Sequence, residues 1–198
     1  MPVDRRDLRR RLFNLAAQQG GYFTAAQARS LGYSYQAQAH HVGASNWHRS
    51  DRGLFRLAEW VPGLHDDLIR WTLWSKDRAA VSHETGLAVH GIGEFESPRI
   101  HLTVPPGFSM RDDAVVIHHA ELADGDIVEQ AGFRTTSVLR SLVDVAAAGA
   151  DEEQLARAIK EATDDGHLTL RQLRARAEQV DVKGALYIER AIQRIAAA

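Results

Sequence analysis

The chain has 198 residues, of which 44% are hydrophobic, and a formal net charge of −2. That length holds one large or two small domains, and that apolar content belongs to a globular protein rather than a disordered one. The chain has no cysteine, which excludes disulfides, thiolate zinc sites and cysteine nucleophiles and fits a reducing, cytoplasmic setting.

No long apolar run is present, so no membrane span is expected. The N-terminal stretch MPVDRRDLRRRLF lacks the apolar core of a secretory signal. Charge is unevenly distributed. Residues 1–60 hold nine arginines, no lysine and four acids, a net charge of +5, while the remainder carries −7. A basic end on an acidic body confines the electrostatic footprint to one part of the chain.

The first predicted helix covers residues 5–19, with Asp4 as its cap and Leu8, Leu12, Leu15 and Ala16 on one stripe. Arg5, Arg6, Arg9 and Arg10 lie off that stripe. They are either a solvated face with Asp4 and Asp7 as partial partners, or a flank close to a DNA backbone. Gly20 and Gly21 end the helix. Thr24, followed three residues later by Gln27, is a capping box and starts a short helix over residues 25–30. Leu31 and Gly32 stop it, and Ser34 caps a second helix over residues 35–42.

In that second helix Ala37 and Val42 are assigned to the core. Tyr35, Gln36, Gln38, His40 and His41 are hydrogen-bonding side chains. Glutamine pairs with adenine edges in the major groove, and tyrosine and histidine reach phosphates or bases. A hairpin follows. Trp47-His48-Arg49 and Leu54-Phe55-Arg56-Leu57 read as strands, joined by Ser50-Asp51-Arg52-Gly53. Arg49, Arg52 and Arg56 decorate it, and their planar guanidinium groups suit phosphates and guanine edges. Helix, turn, helix and basic hairpin together are the plan of a winged helix-turn-helix, a DNA-reading module.

Residues 58–65 read as a linker punctuated by Pro62-Gly63. A helix over residues 66–76 carries Leu68, Ile69, Trp71, Leu73 and Trp74, too apolar a set for exposure. Ser82 caps a helix to about residue 90. Its HETGL opening resembles a zinc-protease helix, but the position of the second histidine is Leu87. His83 and His90 are able to share a face; with no carboxylate at suitable spacing the pair is read as structural, not as a metal site. Residues 99–104 alternate as a strand, ended by Pro105-Pro106-Gly107. Strands are also expected over 114–122 and 134–136. His118 and His119 point to opposite faces of theirs. Helices are expected over 138–148, 151–163, 169–179 and 184–195. Asp151 with Gln154, and Thr169 with Gln172, repeat the capping-box spacing. No phosphate loop, nucleophile elbow or catalytic constellation is present. The expected class is α+β: a winged helix-turn-helix over residues 1–60, then helices around a small sheet over residues 61–198.

Over Gly21 to Gly63 the residues GYFTAAQARSLGYS and then W-x-R-x-x-R-G-L-F-R-L resemble the N-terminal winged helix of AbiEi-family antitoxins. The segments VSHETGLAVHGIG, PRIHLTVP and FRTTSVLRSLVDVAA are similar to the body of actinobacterial members. The likeness covers nearly the whole chain. Its most specific pieces are Arg52-Gly53-Leu54-Phe55-Arg56-Leu57 and Ser82-His83-Glu84-Thr85 with His90-Gly91. Related proteins append a nuclease domain, for which this chain leaves no room. The turn Gly43-Ala44-Ser45-Asn46 is less basic than is usual before the wing, which weakens phosphate binding there.

The resemblance implies a non-enzymatic antitoxin paired with a nucleotidyltransferase toxin. It implies a winged helix that represses its own operon by binding inverted repeats in double-stranded DNA, which favours a dimer on DNA. Protection by the body is either indirect or by direct capture of the toxin. The residues expected at DNA are Tyr35, Gln36, Gln38 and His41 in the second helix, Arg49, Arg52 and Arg56 in the hairpin, and Thr24, which caps and is placed to donate to a phosphate. No metal or cofactor is expected. The alternative is a transcription regulator whose second part senses a ligand or dimerises, without a toxin. A nuclease using His83, Glu84 and His90 is the third, least favoured reading.

Overall fold

The computed structural model describes residues 4–197. Residues 1–3, which open the N-terminal stretch read above, and residue 198 lie outside them. The described chain is a mixed α+β structure with two separate sheets. It divides into two units. The first runs to Arg78 and takes in Gln130–Phe133; the second comprises Ala79–Glu129 and Arg134 onward. The division therefore falls later than residue 60, because the helix Asp66–Trp74 groups with the first unit.

In the first unit the order is α1 (Arg5–Ala17), β1 (Tyr22–Thr24), α2 (Ala25–Leu31), α3 (Tyr35–Gly43), β2 (Trp47–Asp51), β3 (Leu54–Leu57) and α4 (Asp66–Trp74). The caps expected from sequence are present. Asp4 accepts from the Arg6 N–H, Thr24 and Gln27 form a complete capping box, and Ser34 accepts from the Ala37 N–H. Gly32 ends α2 in the left-handed conformation, at φ 117°. β1 is a strand that the sequence did not announce. It pairs antiparallel with β3, which pairs with β2, giving the order β1-β3-β2. Leu12, Ala16, Phe23, Trp47, Phe55 and Leu57 fill the space between sheet and helices. Phe23 meets Trp47 edge-on with centroids 4.8 Å apart, the geometry that aligns a ring edge with a ring face.

The linker is ordered by one carboxylate. Asp66 Oδ2 accepts from Arg56 Nη2 at 2.8 Å, Trp60 Nε1 at 3.1 Å and the Gly63 N–H at 2.8 Å. Close approach here demands glycine. Gly21 has φ +79°, and a Cβ on it would lie 2.2 Å from Trp60 Cγ.

The second unit contains β4 (Ala80–Val81), α5 (His83–His90), β5 (Ile100–Val104), β6 (Val115–His119), α6 (Val138–Ala148), α7 (Glu152–Asp164), α8 (Leu170–Val180) and α9 (Val182–Ala196). The hairpin strands β7 (Ile127–Gln130) and β8 (Phe133–Thr136) complete a five-stranded sheet of order β6-β5-β4-β8-β7. β4 is antiparallel to β5 and parallel to β8, and β5 is parallel to β6. β4 and β7 are too short and too weakly alternating to be read from sequence. The helical core is built on Leu87, Leu142, Leu155, Ile159, Leu173 and Ile188. Beside it, Arg140 bonds Asp144 and Asp126, and Arg176 also reaches Asp126. The Thr169–Gln172 box forms, but the Asp151 box is only half made: Asp151 caps two backbone N–H groups, while Gln154 donates to the Glu94 carbonyl.

Replacing Asp66 by alanine strands three donors at once. Asp66→Ala is expected to cost about 3 kcal/mol, read as an earlier urea transition in tryptophan fluorescence. All four tryptophans lie in the first unit, so a transition that does not move would contradict this role.

Candidate functional site

Helices α2 and α3 are joined by three residues, Gly32-Tyr33-Ser34. Around α3 the exposed positions are Tyr35, Gln36, Ala39, His40 and Gly43. At 100° per residue these occupy one arc of the helix. The opposite arc holds Ala37, Gln38, His41 and Val42, all buried or half-buried. The exposed arc is polar, small and free of large aliphatic groups.

The expected DNA-contacting residues divide on this geometry. Tyr35 is 64% exposed and its hydroxyl accepts from Arg29 Nη1 at 3.0 Å. The Arg29 guanidinium also sits 4.8 Å from the Tyr35 ring centroid. Gln36 is exposed. Arg49 is exposed, with its guanidinium 5.8 Å from the Phe55 ring centroid. Arg52 is exposed at the turn between β2 and β3. These four are exposed on α3 and the hairpin.

The other four are held by the fold. Gln38 is 3% exposed, and its Nε2 donates to the Ala25 and Tyr33 carbonyls, each at 3.2 Å. It is a strut between α2 and α3, not a base reader. On the helix wheel position 38 falls between 37 and 42, so a helix that buries Ala37 and Val42 buries Gln38 as well. His41 stacks on Trp47 with centroids 4.6 Å apart, and burial lowers its pKa, helped by His40 and Arg9. Arg56 is paired with Asp66 and its side chain is 20% exposed. Thr24 is half-buried as the cap of α2. Arg29 of α2 and His48 of β2 were not among the expected contacts, and His40 was named only as a hydrogen-bonding side chain of α3; all three are exposed. His40 lies one helical turn beyond Gln36.

Not all the arginines of α1 are unpartnered. Arg9 reaches Glu59 at 3.2 Å and Arg10 reaches Asp7 at 2.6 Å. These pairs are exposed, so water and salt compete with them readily. A cleft of about 570 Å³ opens between α1 and α3, floored by Leu8, Leu12 and Trp47 and rimmed by Arg9 and His40.

The second unit brings together a group that sequence spacing hid. His83, His101 and His118 each place a ring nitrogen within 4.8 Å of the others. His118 Nε2 is 3.1 Å from His101 Nδ1, and Glu84 Oε2 is 3.0 Å from the same nitrogen. Burial drives His83 down to about 3 and His118 down to about 4, so both are neutral at pH 7. Burial opposes ionisation of Glu84, but contact with His101 and a backbone N–H hold its carboxyl below the usual range. His90 takes no part: its Nε2 is 2.8 Å from the Thr136 carbonyl. His119, as expected, points away and is exposed.

No protein-family model matches the chain, and no curated protein matches it. The fold is similar to the crystal structure of the RV2827C protein from Mycobacterium tuberculosis, with a TM-score of 0.62 over 95% of this chain and 80% of that one. Identity is 13%, so the likeness is one of fold.

Gln38→Ala would remove the amide's bonds to the Ala25 and Tyr33 carbonyls and open a cavity between α2 and α3. It is expected to destabilise the first unit by about 1–3 kcal/mol, measured by urea denaturation. Gln36→Ala at the exposed arc should leave the midpoint unchanged.

Proposed function

We propose that this protein is a DNA-binding regulator whose first unit is a winged helix-turn-helix. The element order α1-β1-α2-α3-β2-β3, the sheet order β1-β3-β2 and the three-residue turn before α3 support that reading. The observation that carries it is the exposed arc of α3, Tyr35-Gln36-Ala39-His40-Gly43, beside a hairpin tipped by Arg52. Small and polar side chains let a helix enter the major groove, about 12 Å wide, without clash. Gln36 is the base reader, pairing with adenine, and His40 lies one turn further along. Arg52 and Arg49 hold the backbone or the adjacent minor groove, and Arg29 with Tyr35 supports the near phosphates. The positive charge of residues 1–60 supplies long-range attraction to DNA.

The regulator is further proposed to be the antitoxin of a nucleotidyltransferase toxin, cytoplasmic and without enzymatic activity of its own. It represses its own operon as a pair of copies on inverted repeats. This part rests on the sequence resemblance to AbiEi-family proteins, with the acidic second part of the chain assigned to protection.

Binding to the DNA upstream of its gene, followed by fluorescence anisotropy, tests the assignment. If a protomer neutralises about four phosphates, log K falls against log salt with a slope near −3.6. Arg52→Ala should weaken binding to every duplex and flatten the slope by about one. Gln36→Ala should instead reduce discrimination at one base pair by about 1–3 kcal/mol. Unchanged affinity in Arg52→Ala would remove the hairpin from the interface.

A further inference from the structure

We propose that His83, His101 and His118, with Glu84 beside His101, form a site for one divalent transition-metal ion of the zinc class, joining the start of α5 to β5 and β6. The register of the sheet builds the site. Thr103 lies opposite His118, and His101 precedes Thr103 by two residues, so all three side chains leave the same face. The start of α5 is fastened over that face. Thr85 Oγ1 accepts from the His101 N–H at 3.0 Å, and Thr103 Oγ1 donates to Ser82 Oγ at 2.8 Å. His83 is set in the left-handed backbone region, at φ 54°, uncommon for a residue other than glycine.

The three histidine donors lie within 4.8 Å of one another, and one pair has coordination spacing. Ligands bonded to zinc at about 2.0–2.1 Å in a tetrahedron lie about 3.3 Å apart. His101 Nδ1 is 3.1 Å from His118 Nε2 and 3.0 Å from Glu84 Oε2. Glu84 Oε2 is buried and makes no hydrogen bond of good geometry despite its distance from His101. A cation engages the imidazole lone pairs, and the Glu84 carboxylate beside His101 adds favourable charge.

Second partners orient the ligands. Ser82 Oγ is 2.9 Å from His83 Nδ1. When Ser82 accepts from Nδ1–H, the His83 Nε2 lone pair is left for the ion. The His83 and His118 rings stack with centroids 3.5 Å apart, so binding turns one ring about its Cβ–Cγ bond, a soft torsion. Three imidazoles suit zinc, copper, nickel or iron rather than magnesium or calcium. Three histidine donors leave the fourth position of a tetrahedral shell to water. The site is independent of the DNA-binding reading.

The test uses the full, untagged chain, stripped with a chelator and titrated with Co²⁺ and then Zn²⁺. One Co²⁺ per chain should bind with the visible absorption of four-coordinate cobalt, and one Zn²⁺ should displace it. Zinc, but not magnesium, should raise the thermal midpoint. His118→Gln should weaken binding by more than about tenfold, while His119→Gln leaves it unchanged. Should His118→Gln not fold, X-ray absorption of the zinc-loaded native protein reads the ligands directly, with imidazole shells expected. No four-coordinate cobalt spectrum at stoichiometric metal, equal affinity in a folded His118→Gln, or a zinc shell without imidazoles would overturn the proposal.

Discussion

The Arg56–Asp66 pair is the point on which the β3 strand, the linker and α4 of the first unit converge. One carboxylate oxygen gathers a guanidinium from β3, the Trp60 indole and a backbone N–H of the linker. Arg56 also lies 5.0 Å from the Tyr22 ring centroid, which ties β1 to the same point. Breaking a part-buried pair of this kind costs more than its formation contributes, because the surviving charge is left without a partner. The consequence for function is a sorting of the arginines. Arg56 is committed to the fold, while Arg49 and Arg52 of the same hairpin face solvent.

Gln38 makes a comparable selection within α3. Its amide spans the turn, bonding one carbonyl of α2 and one of the turn itself. It thereby fixes which arc of α3 is presented outward. A residue with the chemistry to read adenine is instead the brace that orients its neighbour, Gln36. Position on the helix, rather than residue type, separates the two roles.

Local signals were legible in the sequence. The caps at Asp4, Thr24 and Ser34, the stop at Gly32 and the helix over 138–148 follow from side chains that bond their own backbone a few residues away. Strands β1 and β4, only three and two residues long, carry no periodicity to read and exist through pairing with distant partners. The histidine cluster was hidden for the same reason. His83, His101 and His118 lie on three different elements, and only the parallel register of β5 and β6 brings the last two together. The sequence offered His83 with His90, a spacing along one helix, whereas the structure turns His90 to the Thr136 carbonyl. The buried Arg140–Asp126 contact likewise joins residues fourteen apart in sequence through tertiary packing.

The central claim is that the α3 arc and the hairpin read DNA. The most direct measurement is equilibrium binding of the full chain to the duplex upstream of its own gene, compared with a duplex of the same composition in shuffled order. The account predicts tighter binding to the upstream duplex, with the difference surviving as salt weakens binding to both. Equal affinity for the two duplexes at every salt concentration would contradict it.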